Sequence, residues 1–152
     1  MNLGDSLTVE MTATPDDVWA LVSDVTRIGE LSPETFEAEW LDGATGPELG
    51  AHFRGHVNRN SSGVVYWSRC RVTACEPGRS FGFDVLIGSN VINTWLYEIA
   101  PSATGTTVTE SFRLADTWSN RVYWGLLGRW RGRTNVRGMA QTLARVKAIV
   151  EA

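Results

Sequence analysis

Long apolar runs and a secretory leader are both missing from this sequence of 152 residues. No stretch of about 18 consecutive apolar residues occurs, so no membrane-spanning helix is predicted. The first residues also lack the order of charged, apolar and small residues that is typical of a secretory leader. We therefore expect a soluble, cytoplasmic protein without stable membrane insertion.

Cysteine is scarce, with only Cys70 and Cys75 present. The two residues are five positions apart in one predicted strand, and alternation along a strand would place their side chains on opposite faces. A disulfide between them is therefore difficult to form. We expect two reduced thiols.

Several sequence signatures of catalysis are also absent. The glycine-containing stretch 43–50 lacks the Lys and Ser/Thr of a phosphate-binding loop, and no Gly-x-Ser-x-Gly occurs. There is no His-Glu-x-x-His, and His52 and His56 would lie about 13 Å apart along one strand, too far for one zinc ion. We predict solvent-facing histidines, no metal and no cofactor, and nucleotide-dependent or serine-hydrolase chemistry is disfavoured.

Basic residues are rare in most of the chain. Residues 1–112 hold 15 acidic residues against 6 Arg, whereas residues 113–152 hold 7 Arg and Lys147 against Asp116 and Glu151. The net charge of −3 argues against a general nucleic-acid binder. Residues 1–112 are therefore acidic on balance, and the C-terminal tail, residues 113–152, is basic.

Alternating apolar and polar residues predict strands through most of the chain, in a single domain of residues 1–152. The first strand covers Leu7 to Ala13, and a helix follows with Thr14 as N-cap and Pro15 as its first residue. A turn or second short helix then ends at Pro33. Six further strands, joined by short links between Thr35 and Leu114, are expected to pair as antiparallel neighbours.

The last quarter changes to helical spacing. An amphipathic helix is predicted from Thr134 to Glu151, and a shorter helical piece is predicted between Ser119 and Trp130. The architecture is then an α+β fold, in which a curved antiparallel sheet of seven strands wraps around the long C-terminal helix. The segment Trp118 to Arg133 is rich in Trp and Arg. It has three alternative interpretations: a packed connection with Trp under the long helix, a lid, or a membrane or protein contact.

The inward faces of the strands carry large and small side chains side by side. The aromatic residues expected there are Phe36, Trp40, Phe53, Tyr66, Phe81, Phe83, Trp95, Tyr97 and Phe112. Small residues on the same faces are Ala38, Gly55, Ser68 and Cys70. Small residues beside large ones on a concave sheet predict an interior with room for a guest molecule.

Glu110 is the conspicuous polar residue of the predicted hairpin from Asn90 to Leu114. An inward carboxylate among aromatic side chains has a raised pKa and could act as a general acid or base, or as a hydrogen-bond anchor for a ligand. Alternatively, Glu110 reaches water at the strand end or pairs with Arg133 or Arg137. The other inward polar residues, each of which needs a partner in protein, water or ligand, are Tyr66, Ser68, Asn93 and Tyr97.

Motifs spread over the whole chain resemble one family. They include PDDVW at 15–19, LSPE at 31–34, WLDG at 40–43, GAHFRG at 50–55 and GTTVTE at 105–110. The sequence resembles the polyketide cyclase/dehydrase branch of the START-like (SRPBCC) superfamily. That resemblance implies a helix-grip fold with a ligand cavity between sheet and long helix. The family includes cyclases, lipid carriers, hormone receptors and chaperone activators, so it leaves the activity open.

The preferred prediction is binding of a small hydrophobic or amphiphilic molecule in an internal cavity. The predicted ligand-binding residues are Phe53, Tyr66, Ser68, Phe81, Phe83, Asn93, Trp95, Tyr97, Glu110, Phe112, Met139 and Leu143. One alternative is a polyketide cyclase or dehydratase that uses Glu110 as acid or base. Another is an interaction module for proteins or membranes that uses the basic, Trp-rich tail. The oligomeric state is open, with a homodimer as one option.

Overall fold

A computed structural model of the chain describes residues 3–58 and 63–152, apart from the side chains of residues 123, 124 and 127–132. The elements in chain order are β1 Gly4–Met11, α1 Pro15–Val22, a 3-10 helix Val25–Glu30, β2 Thr35–Trp40, β3 His52–Asn58, β4 Val65–Glu76, β5 Ser80–Ile87, β6 Asn90–Ser102, β7 Gly105–Leu114 and α2 Trp118–Val150. The predicted order of strand, helix pair, six strands and helix is confirmed.

The strands form one sheet of seven in the order β1-β7-β6-β5-β4-β3-β2. All neighbours pair antiparallel, as short links between successive strands require. Gly78 and Gly88 occupy two of the hairpin turns with φ of +74° and +60°, a backbone region that favours glycine. The predicted antiparallel sheet with a long C-terminal helix is confirmed.

The two short helices begin at side-chain caps. The Thr14 hydroxyl accepts a 3.1 Å hydrogen bond from the Asp17 backbone N–H, and Pro15 is the first residue of α1. The Asp24 carboxylate likewise accepts from the Thr26 backbone N–H at 3.1 Å, at the start of the 3-10 helix. This arrangement buries Val25 beside the inner face of the sheet.

Helix α2 is a single helix of 33 residues, so the prediction of a separate helical piece before Thr134 is wrong. Gly125 and Gly132 lie inside it, and a glycine weakens a helix by only about 1 kcal/mol without breaking it. The predicted apolar stripe is confirmed in the second half of the helix, where Leu143 and Val146 are fully buried.

The core lies where α1 and the second half of α2 meet the inner face of the sheet. Its buried residues are Met11, Val18, Leu21, Val22, Val25, Leu31, Phe53, Cys70, Val72, Phe81, Ile99, Val108, Leu143 and Val146. Most of the strand side chains that were predicted to face inward therefore do so.

Phe36 is an exception to the predicted inward phase. The pairing of β2 with β3 shifts between Thr35 and Glu37, so Phe36 is bulged out of register. Its side chain is 48% exposed and lies 4.4 Å from His56, centroid to centroid, on the outer side of the sheet. The prediction of an interior Phe36 is wrong. The bulge adds one residue to the strand, so the in-and-out alternation of side chains does not continue unbroken from Ala38 back to Phe36.

A second bulge changes the position of the cysteines. The pairing of β4 with β5 shifts between Val72 and Ala74, and Cys75 lies opposite Phe81 while Cys70 lies opposite Val85. Both thiols thus face inward, and the prediction of opposite faces is wrong. Both remain free cysteines.

The histidines of β3 lie on the outer face, as the alternation predicts, but His56 is half-buried rather than solvent-facing. Its side chain is 21% exposed, because it stacks on Trp67 at 4.2 Å and contacts Phe36. It also bonds the Glu37 carboxylate at 2.8 Å. His52 is likewise only partly exposed, which corrects the expectation for both residues.

Candidate functional site

A cavity of about 210 Å³ lies between the inner face of the sheet and α2. The predicted site residues that line it are Phe53, Tyr66, Ser68, Phe81, Phe83, Asn93, Trp95, Tyr97, Glu110, Phe112 and Met139. Leu143 does not line it, because the helix contributes residues 134–142 to the wall, and Leu143 packs into the core beyond them. The placement of Leu143 in the site is corrected, and binding by the other residues stays a prediction.

Sequence reasoning missed two groups of lining residues. One comes from the 3-10 helix and the segment after it, and includes Ile28 and Leu31. The other comes from α2, where Asn135, Gly138 and Thr142 share the inward stripe with Met139. Polar residues at positions i, i+3 and i+7 on a stripe predicted to be apolar were the available signal.

The wall is mainly aromatic and aliphatic. Phe53 and Phe83 meet edge to face with ring centroids 5.0 Å apart. Trp95 and Phe112 form a tilted pair with centroids 4.8 Å apart on the neighbouring strands β6 and β7. These geometries suit rings that pack against further rings. An apolar ligand would find a large, pre-formed contact surface here.

Glu110 lies in the middle of β7, opposite Tyr97 on β6 and Leu7 on β1, and is 3% exposed. Burial raises the pKa of this carboxyl to about 8, and a hydrogen bond from the Tyr97 hydroxyl opposes part of that rise. At neutral pH Glu110 is therefore mostly an uncharged carboxylic acid. It can donate a hydrogen bond as well as accept one.

The alternatives for Glu110 do not match its surroundings. The residue is not at the strand end, and the ion pairs formed by the described residues do not include it. Arg133 and Arg137 are exposed on α2. Its Oε2 is buried without a hydrogen-bond partner in the part of the chain that the structure describes.

Tyr97 lies directly opposite Glu110 on the neighbouring strand and forms a hydrogen bond with it. Burial, the charge of Glu110 and the hydrogen bond to it raise the pKa of the Tyr97 hydroxyl well above its usual value. The hydroxyl thus stays protonated over the whole neutral range and serves as a donor. Together the two residues offer a carboxyl and a phenol at one position of the cavity wall.

Two side-chain amides also have polar atoms without partners. Asn93 Oδ1 on β6 and Asn135 Nδ2 on α2 are buried and find no hydrogen-bond partner among the described residues. Both residues line the cavity. Buried polar groups in native proteins are nearly always paired, so a small side-chain rotation that brings these atoms to water or a ligand in the cavity would be favourable. Asp5 Oδ2 and His52 Nδ1, whose residues do not line the cavity, are also without partners among the described residues.

The cavity approaches solvent near the start of β4. Tyr66 there is 42% exposed, and Pro33 on the opposite side is exposed as well. The Pro33 ring comes so close to α2 that a Cβ on Gly138 would lie 3.9 Å from its Cγ. Among the described lining residues, Tyr66 on β4 and Pro33 after the 3-10 helix are thus the ones that reach solvent.

The first half of α2 exposes apolar side chains. Trp118, Val122 and Leu126, spaced by four residues on one helix face, are 81%, 42% and 78% exposed. The interpretation of this segment as a packed connection is therefore wrong for Trp118. The same question for Trp124 and Trp130 lies outside the described side chains.

Among the residues that the structure describes, no group of three or more His, Cys, Asp or Glu is placed to hold a metal ion. No helix in that part of the chain is long and apolar enough to cross a membrane.

The chain is similar to several known proteins. A family model described as polyketide cyclase / dehydrase and lipid transport matches residues 6–151. A polyketide-cyclase-like protein from Corynebacterium glutamicum is 30% identical, with a TM-score of 0.66 over 99% of this chain and 93% of that chain. No protein among the curated sequences matches.

Two more distant structures share the fold. A protein from Chromobacterium violaceum is 15% identical, with a TM-score of 0.71 over 98% of both chains. The di-domain ARO/CYC StfQ of the steffimycin biosynthetic pathway is 14% identical, with a TM-score of 0.75 over 98% of this chain and 50% of that chain. At these identities the similarity shows the architecture alone.

Proposed function

Because the chain belongs to the polyketide cyclase/dehydrase and lipid transport family, we propose that it binds a small hydrophobic or amphiphilic molecule in the cavity between sheet and α2. The observation that carries this proposal is the cavity itself, about 210 Å³ in volume with a mainly apolar wall. Ligand sites in proteins are typically apolar clefts with a few placed polar groups. Glu110, Asn93 and Asn135 supply such groups here.

The cavity approaches solvent and is large enough to hold water when no ligand is bound. Water against an apolar wall forms fewer hydrogen bonds than in bulk solvent, so an apolar ligand that displaces it gains free energy.

The size of the cavity limits the ligand. An apolar cavity of about 150 Å³ binds benzene, so roughly two fused rings are a suitable occupant for 210 Å³. The naphthalene derivative 2-naphthol, uncharged at pH 7, is therefore a fitting probe. We expect saturable binding of 2-naphthol by isothermal titration calorimetry.

A cavity-filling variant tests the location. Ser68→Phe adds a ring to the wall, whereas Arg69→Phe adds the same ring to the outer face of the same strand. We expect Ser68→Phe to abolish binding and Arg69→Phe to retain it. Equal binding by both variants, or no binding by the unaltered protein, would contradict the proposal. Native mass spectrometry of protein from its own host would identify a co-purified ligand.

A second candidate function is proton transfer, which the pairing of Glu110 with Tyr97 favours. A general base works best when its pKa lies near the working pH, and the pKa of Glu110 is about 8. The ionised carboxylate would remove a proton from the carbon beside a ligand carbonyl. The electron pair of that C–H bond would move to the carbonyl oxygen and form an enolate.

Hydrogen exchange on a small ketone tests this candidate. With 2-tetralone in D₂O, proton removal and return of a deuteron replaces the hydrogens beside the carbonyl, which ¹H NMR follows. We expect exchange to accelerate with pH up to about 8 and to be lost in Glu110→Gln. Glu98→Gln, on the other face of the neighbouring strand, is the matched control. Exchange that is no faster than in buffer would leave binding as the function.

A further inference from the structure

The chemistry of the ligand can be inferred from the polar atoms that the protein leaves without partners. Glu110 Oε2, Asn93 Oδ1 and Asn135 Nδ2 are buried, and none has a hydrogen-bond partner among the described residues. They lie on three elements, β7, β6 and α2, and their residues line the same cavity. Glu110 and Asn135 are 3% and 5% exposed, so bulk water does not satisfy them.

The positions of these atoms imply two polar ends. Glu110 lies opposite Tyr97, whereas Asn93 lies four residues earlier on the same strand β6. Four residues of strand span about 13 Å. Between the two levels the wall is formed by Trp95 and Phe112. The cavity thus presents a polar position, an aromatic belt and a second polar position.

The charges of the wall restrict the ligand further. The lining residues include the acids Asp24, Glu34 and Glu110 but, among the described residues, no Lys, Arg or His. A carboxylate ligand would lose its hydration without gaining a cation, and would be repelled by the acids. An ammonium ligand has no acceptor to offer the Asn135 amide, and burial of an ion pair brings little net free energy.

We propose that the cavity takes an uncharged ligand with an apolar ring body and a hydrogen-bonding group at each end, and that it rejects carboxylates; this inference rests on the binding function proposed above. At one end a ligand hydroxyl donates to the Asn93 oxygen, and the Asn135 amide on α2 is a further donor in the same cavity wall. At the other end the uncharged Glu110 carboxyl bonds a hydroxyl or carbonyl.

A series of naphthalene probes separates these requirements by calorimetry at pH 7. The probes are 2-naphthol, 2,6-dihydroxynaphthalene, 2-naphthoate and 2-naphthylmethylammonium. We expect the second hydroxyl to tighten binding roughly 3- to 10-fold, as one added hydrogen bond does. We expect 2-naphthoate to bind at least about tenfold more weakly than 2-naphthol, because its charge must be desolvated. The ammonium probe should also bind more weakly than 2-naphthol.

Variants test whether Asn93 is responsible for the tighter binding of 2,6-dihydroxynaphthalene. Asn93→Ala should remove most of the preference for 2,6-dihydroxynaphthalene over 2-naphthol, because the second hydroxyl then has no partner. Asn90→Ala is the matched control, because Asn90 is the same residue type on the same strand but is exposed at the hairpin turn. Circular dichroism verifies that each variant is folded. A preference unchanged in Asn93→Ala would overturn the two-ended ligand.

The probe series gives different results if the ligand inference is wrong and if the proposed binding function is wrong. If 2-naphthol and 2-naphthoate bind equally, or the ammonium probe binds most tightly, the uncharged ligand is ruled out while the cavity remains a binding site. If no probe binds, the binding function falls and the inference falls with it. The probe series uses the unaltered protein, so its result does not depend on any variant folding.

Discussion

The two faces of the sheet treat their polar side chains differently. On the outer face Arg54 pairs with Glu39, and Arg69 pairs with Asp42, at 2.5 Å in each case. On the inner face Asn93 Oδ1 and Glu110 Oε2 find no hydrogen-bond partner in the described parts of the chain. The same alternating strands supply both faces. Among the described residues, the outer face thus pairs these charged side chains with one another and leaves only His52 Nδ1 buried without a partner, whereas the polar groups of the cavity wall need water or a ligand.

The contrast has an energetic side. Exposed ion pairs each contribute only about 0 to 1 kcal/mol, so the outer pairs can change at little cost. A buried polar group without a partner costs about 1 to 3 kcal/mol. The inner face thus carries the larger energetic terms of both signs, from its aromatic core and from its polar atoms. Matched substitutions on the two faces test this difference.

The largest expected effect comes from the two phenylalanines of β2 and β3. Phe53 is 1% exposed on the inner face, whereas Phe36 is bulged outward and 48% exposed. Phe53→Ala should lower the free energy of unfolding by about 3 to 5 kcal/mol. Phe36→Ala should lower it by about 1 kcal/mol or less, since about half of the Phe36 side chain is already exposed in the folded state. Urea denaturation measures both, and equal losses would show that the bulge does not exclude Phe36 from the core.

The next effect is the pH dependence of stability that Glu110 causes. Its pKa is about 8 in the folded protein against 4.5 for a free side chain, so the folded state holds the proton more tightly. Its contribution to stability is complete below pH 4.5 and is lost as the pH rises through 8, because the unfolded state releases the proton first. At about 1.4 kcal/mol for each pKa unit, the loss amounts to a few kcal/mol.

Glu110→Gln should flatten this dependence, measured as urea midpoints of the ligand-free protein from pH 5 to 9. Glu39→Gln on the outer face is the control and should retain the slope, since Glu39 is 52% exposed in its pair with Arg54. A slope that persists in Glu110→Gln would show that another group titrates with folding.

Much of the inner face could be predicted from alternation alone. The inward phases of β6 and β7 placed Trp95, Tyr97, Glu110 and Phe112 on one wall, because no bulge interrupts the pairing of these two strands. Phe36 defeated the same reasoning. A bulge adds one unpaired residue, and nothing in the local sequence marks which residue that is.

The helical side of the cavity was harder to predict. Periodicity gives the inward stripe of α2, but it does not give the level at which the helix crosses the sheet. Met139 and Leu143 are therefore equivalent in the sequence, although the first lines the cavity and the second packs in the core. The lack of hydrogen-bond partners for Asn93 Oδ1 and Asn135 Nδ2 could not be predicted either. Whether side chains on β6 and α2 can pair depends on where the helix crosses the sheet.

The smallest expected change in stability concerns two tryptophans, one on each face. Trp67 on the outer face stacks on His56 and lies under the Arg54 guanidinium, 4.0 Å from carbon to ring centroid. Trp95 on the inner face packs against Phe112 and lines the cavity. Trp67→Leu should cost about 1 kcal/mol, because stacking and cation–π contacts at exposed sites are weak. Trp95→Leu should cost a similar amount, since Trp95 is only partly buried.

Ligand binding should separate the same two variants. Trp95→Leu removes a ring from the aromatic belt and should weaken binding of 2-naphthol by roughly tenfold, as the loss of one aromatic contact of about 1 kcal/mol or more implies. Trp67→Leu should leave the affinity unchanged, because Trp67 does not line the cavity. Calorimetry on both variants decides the outcome. If the two variants bound 2-naphthol equally well, Trp95 would not contact the ligand, and the assignment of binding to the inner face would be wrong.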